Sequence, residues 1–142
     1  MNSRFIVEGL GGERNLSGTI AVGGAKNAIL KSMPAALLFE DTLTLTNVPE
    51  IEDVARVAEL LSTMGAKVTR GDHAVSINTS EVQTSDLDDA LAKSLRASIV
   101  FAGPLLARFG RVSFPHPGGD IIGPRPIDLF LDGFKKMGCG IS

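Results

Sequence analysis

The chain has 142 residues, 44% of them apolar but only 5% aromatic, so one ordinary domain with an aliphatic core is within reach and two large domains are excluded. Fourteen Lys and Arg against 16 Asp and Glu leave a net charge of −2, and Trp and Tyr are absent. There is no general basic field and few stacking platforms, so nucleic acid is excluded as a partner class.

Cys139 is the single cysteine, which rules out an intrachain disulfide and a cysteine-based metal site. His73 and His116 lie too far apart to be a helical ligand pair, so no metal is expected. The opening residues, MNSRFIVEGLGGERN, are broken by charges and glycines and have no apolar leader region. The longest apolar run, 98–107, contains Gly103-Pro104 and is too short to span a bilayer. A soluble, cytoplasmic protein without a membrane partner is the expectation.

SGTIAVGG predicts a short strand running into a Gly-Gly turn, and AKNAILKSMPAALLFE then has helical apolar spacing, with Pro34 as a kink or restart. DTLTLTNVP alternates as a half-buried strand does. After Pro49, EIEDVARVAELLSTMG predicts a helix: acids fill its first turn, Ile51, Val54, Val57, Ala58, Leu61 and Met64 make one face, and Gly65 stands at its end. AKVTRGDHAVSIN reads as a hairpin turning at Gly71-Asp72.

The second half repeats this order loosely. A helix over AKSLRASIVFAGPLLARFG precedes a strand at RVSFP, the loop PGGDIIGPRPID and a helix over PIDLFLDGFKKMG. IEDV corresponds to PIDL and LLSTMGA to GFKKMGC, so two copies of one supersecondary unit are expected, joined by the linker TSEVQTSDLDD. The division is an N-terminal segment at 1–22, a first unit at 23–82 and a second at 83–142. That second copy stops mid-unit at CGIS, which predicts a fragment of a longer protein.

Lys26 and Asn27 open a helix directly after Gly23-Gly24, where free backbone N–H groups and the helix dipole favour an anion. The Walker spacing is absent, and a solvated lysine at a helix start is the competing reading. Arg96, taken with its own segment alone, reads as a surface arginine beside Lys93. In the loop, Gly118 and Gly119 permit close backbone approach or positive φ, and Pro124 and Pro126 stiffen the chain around Arg125. An arginine held in this way suits bidentate capture of a phosphate or carboxylate. An Asx-turn at Asp120 beside a surface arginine explains the same residues equally well.

GGAKNA, LTNVP, MGAKV, LRASI, GPLLARFG and PGGDIIGPRPID, in this order and spacing, resemble the N-terminal third of the UDP-N-acetylglucosamine 1-carboxyvinyltransferase (UDP-GlcNAc enolpyruvyltransferase) family, from about residue 19 to the chain end. The sister enzymes of the shikimate pathway carry a Gly-Ser-Lys-Ser type of motif where this chain has Gly-Ala-Lys-Asn. The resemblance implies an α+β (mixed α/β) enolpyruvyl transferase fold of repeated βαβαββ units, the second incomplete here, with segment 1–22 packing against the other domain. It also implies transfer of the enolpyruvyl group of phosphoenolpyruvate to the 3′-hydroxyl of UDP-N-acetylglucosamine, the first committed step of peptidoglycan synthesis, with no cofactor.

By the same resemblance, Lys26 and Asn27 contact phosphoenolpyruvate and Arg96 binds the nucleotide sugar. Arg125, Pro126, Ile127, Asp128 and Leu129 touch that sugar nucleotide, and Arg125 also reaches phosphoenolpyruvate. Asp120 occupies the place of the cysteine that is the usual proton donor and the target of fosfomycin. Addition of the hydroxyl at C2 requires a proton at C3, and a carboxyl group delivers it near neutrality only if its pKa rises from about 4 towards 6 or more. Phe130 replaces a common histidine and Val100 a larger aromatic, so sugar-nucleotide packing is expected to differ in detail.

The opposite wall of the family's site, including the acid that deprotonates the sugar hydroxyl, belongs to a second domain. The missing C-terminal part is therefore an expected partner, and the chain alone is not expected to turn over. An inactive sugar-nucleotide binder or a structural fragment of the same fold is the alternative, and the uncovered sheet edge and apolar surface of an unfinished unit predict self-association.

Overall fold

A computed structural model describes residues 4–9, 11–12, 15–118 and 126–142. Helix α1 (Lys26–Ala35) runs into a 3-10 turn (Ala36–Leu38), followed by strand β1 (Leu43–Thr46), helix α2 (Glu52–Thr63) and the hairpin β2 (Lys67–Gly71) and β3 (Ala74–Asn78). Then come α3 (Asp89–Ser94), a 3-10 segment (Arg96–Phe101), α4 (Ala102–Phe109) and α5 (Asp128–Lys136). The fold is mixed α/β, as expected. Among the described residues no helix is long and apolar enough to cross a membrane.

The three strands form one antiparallel sheet in the order β1-β3-β2, with Leu45 opposite Val75 and with Leu43 and Val68 both opposite Ile77. Alternation sends Val75 and Ile77 into the core, where α1 and α2 cover them with Ile29, Leu30, Met33, Val54, Val57 and Leu61. Each such side chain contributes about 1.5–3 kcal/mol by leaving water. The face expected for α2 is buried except for the partly buried Ile51, and Leu60 joins it.

Helix α2 ends as its sequence dictates. Gly65 takes φ +102°, the Ala66 N–H donates to Leu61 O and the Gly65 N–H donates to Ser62 O, each at 3.0 Å, which satisfies the last carbonyls in a Schellman motif. Helix α5 closes in the same way: Gly138 has φ +95°, the Cys139 N–H donates to Phe134 O and the Gly138 N–H donates to Lys135 O, each at 2.9 Å. Ile51 and Ile127 are the matching N-caps, and α5 has nine residues where α2 has twelve.

Several local expectations are corrected. Residues 17–24 form no strand, and Ile20 and Val22 are about nine-tenths exposed. Strand propensity is realised only against a partner ladder, and this segment has none among the described residues. The hairpin turns one residue later than read, at Asp72-His73, because Gly71 still pairs with Ala74. His73 takes φ 46°, and its carbonyl accepts the Val48 N–H at 2.8 Å, tying the turn to the exit of β1.

The long helix expected over 92–110 is three pieces. Leu95 is extended, the Ser98 hydroxyl donates to Ala92 O at 3.0 Å, and Pro104 falls in the first turn of α4, where its missing N–H breaks no helical bond. RVSFP contributes a single parallel bridge, Asp86 to Ser113. The stretch read as a linker is packed instead, with Thr79, Val82, Ser85 and Leu87 buried. Thr79 also receives a side chain of α4: the Arg108 guanidinium donates to Thr79 Oγ1 and Thr79 O at 2.8 Å each and to Leu37 O at 3.2 Å.

Candidate active site

The N-termini of α1 and α2 are brought together by a glycine. A β-carbon on Gly24 would overlap the carbonyl oxygen of Asn47, so only glycine lets the chain entering α1 lie against the chain leaving β1. Lys26 is then the first residue of α1, and it faces Asp53 in the first turn of α2. Its Nζ donates to Asp53 Oδ2 at 2.6 Å. Both side chains are partly exposed, so the pair adds about 0–1 kcal/mol of stability and acts chiefly by fixing where the ammonium sits. Ala25 at the N-cap has no side-chain acceptor, which leaves the first amides of α1 to solvent or a ligand.

Arg96 starts the 3-10 segment and reaches the same place from the other side. It follows α3 closely, and the loop that begins PGG comes against the end of that helix. A β-carbon on Gly118 would overlap the carbonyl oxygen of Lys93. The far end of the loop is anchored by Ile127, which is buried with Ile99 and Ala102.

These elements enclose a cleft of about 550 Å³ bordered by Lys26, Asn27, Arg96 and Ile127. Val100 and Phe130, two positions at which the sequence differs from what is common in the family it resembles, also border it. Pro126, Asp128 and Leu129 do not, and all three are exposed. Asp120 and Arg125 lie outside the described residues, so the expectations for them rest on the sequence.

The cleft also contains side chains that sequence reasoning did not single out. Among the described residues, Lys26, Lys31, Arg56 and Arg96 give four cations against the two anions Glu52 and Asp53, while the whole chain carries −2. Attraction for an anion is therefore local to this cleft. Arg56 is held by Glu52 at 3.1 Å and Glu59 at 3.8 Å. The acids of α2 had read only as complements to its helix dipole, and nothing in one dimension says that α1 begins beside them.

A family model described as EPSP synthase (3-phosphoshikimate 1-carboxyvinyltransferase) matches residues 10–142. The chain belongs to this family. It is 42% identical over 131 residues to a UDP-N-acetylglucosamine 1-carboxyvinyltransferase of Prochlorococcus marinus, covering 92% of this chain and 29% of that protein. Against the enzyme of the same name from Corynebacterium efficiens it is 44% identical over 139 residues, covering 98% of this chain and 32% of the relative. The chain thus spans about a third of the length of the curated relatives it matches. The enolpyruvyl transferase NikO from Streptomyces tendae shares the fold, with a TM-score of 0.61 at 24% identity over 70% of this chain and 23% of that one.

Proposed function

We propose that this chain forms the N-terminal part of an enzyme that moves the enolpyruvyl group of phosphoenolpyruvate to the 3′-hydroxyl of UDP-N-acetylglucosamine, in the cytoplasm, as the entry into peptidoglycan synthesis. The observation that carries the reading is the convergence of Lys26 and Asn27, Arg96 and Ile127 on one cation-rich cleft. These residues come from three separate places in the chain. Relatives bearing that enzyme's name at 42% and 44% identity support the choice of sugar nucleotide over other acceptors.

In this reading Lys26, Asn27 and the α1 amides hold phosphoenolpyruvate, with Arg125 as a second cation. Arg96 and the segment Arg125, Pro126, Ile127, Asp128 and Leu129 hold the nucleotide sugar, and Asp120 delivers the proton to C3. The matching caps of α2 and α5 support two related units at 23–82 and 83–142, the second incomplete. Segment 1–22 is assigned to the rest of the enzyme, which its exposed Phe5, Val7, Ile20 and Val22 support.

Phosphate release from UDP-N-acetylglucosamine plus phosphoenolpyruvate, measured with the complete enzyme and its Lys26→Ala variant, tests the proposal. Activity with shikimate 3-phosphate in place of the sugar nucleotide would overturn it. The chain by itself carries one wall of the site and is not expected to turn over. Calorimetric titration of it with UDP-N-acetylglucosamine separates a binding module from a purely structural piece.

A further inference from the structure

We propose that Asp53 is a positioning residue that holds the Lys26 ammonium at the N-terminus of α1, ready for the anionic co-substrate. The inference rests on the reading of Lys26 as a phosphoenolpyruvate contact. Four rotatable bonds let a lysine side chain wander, and at the first position of a helix the dipole repels it. An acid in the first turn of a neighbouring helix is favoured by its own dipole, so Asp53 is a stable counter-anchor.

The other carboxylate bordering the cleft, Glu52, is engaged by Arg56 at 3.1 Å, whereas Asp53 takes Lys26 at 2.6 Å. An ammonium has three donors, so with one on Asp53 it keeps two for a bound phosphate or carboxylate. Pairing therefore leaves Lys26 able to bind and removes the need to order it when the anion arrives.

The test is a double-mutant cycle on the complete enzyme. Asp53→Ala should raise KM for phosphoenolpyruvate about fivefold, in keeping with the cost of ordering one long side chain, while KM for the sugar nucleotide stays put. Asp53→Asn keeps an oxygen for the ammonium and should remain within about twofold of wild type. In a Lys26→Ala background Asp53→Ala should add nothing. An unchanged KM for phosphoenolpyruvate in Asp53→Ala, equal rises in both KM values with a lower melting temperature, or full additivity with Lys26→Ala would each overturn the role given to Asp53. If Lys26→Ala itself leaves that KM unchanged, the reading of Lys26 fails first and the inference fails with it.

Discussion

Gly24 lies so close to Asn47 that any β-carbon on it would collide with the Asn47 carbonyl oxygen, and the Pro49 ring is the next neighbour. This contact sets the distance between the starts of α1 and α2. Gly24→Ala should therefore lose about 1–3 kcal/mol, as overpacking does, and also separate Lys26 from Asp53. Urea denaturation read beside phosphoenolpyruvate affinity in the complete enzyme checks both effects. A variant of unchanged stability would mean the two backbones do not touch.

The caps of α2 and α5 carry the next expectation. Gly65 and Gly138 sit at φ +102° and +95°, where a β-carbon is strained, so alanine at either should cost about 1–2 kcal/mol. Gly65→Ala should cost the more of the two, because its β-carbon would also press on Glu81 O at 3.0 Å, whereas nothing lies within 4 Å at Gly138. Thermal melts of the two variants settle the order.

Lys26→Ala and Arg125→Ala, each made in the complete enzyme, should lose at least about 1.5 kcal/mol of transition-state stabilisation, the low end for charge-assisted hydrogen bonds. The measurement is kcat/KM for phosphoenolpyruvate. Near-wild-type values in both variants would remove the pair from the site.

The resemblance implies that Asp120 takes the place of a thiol, and a thiolate attacks an epoxide far faster than a carboxylate does. The complete enzyme should resist fosfomycin and remain active. Asp120→Cys should bring back time-dependent inactivation, while Asp120→Asn should lower turnover by roughly 10²-fold, as removal of a general acid does. Rapid covalent inactivation of the unmutated enzyme would show that the loop has another role.

What could be read from sequence alone is what depends on neighbours along the chain. The periodicity of EIEDVARVAELLSTMG specifies the buried face of α2, Gly65 specifies its stop, and the alternation of β1 its half-burial, because 3.6- and 2-residue periods and a glycine cap are local properties. Ordered motifs likewise disclosed the family. Only the tertiary structure decided that SGTIAVGG forms no strand, since a ladder needs a partner, and that TSEVQTSDLDD is packed, since Thr79 meets Ala36, Phe39 and Arg108, all distant along the chain. It also decided the polar lining of the cleft. Asp53 is 27 residues from Lys26, and a carboxylate at a helix start has the same sequence signature whether it faces solvent or a lysine. Their meeting follows from Gly24 and Asn47, a contact between two backbones that no side-chain pattern announces.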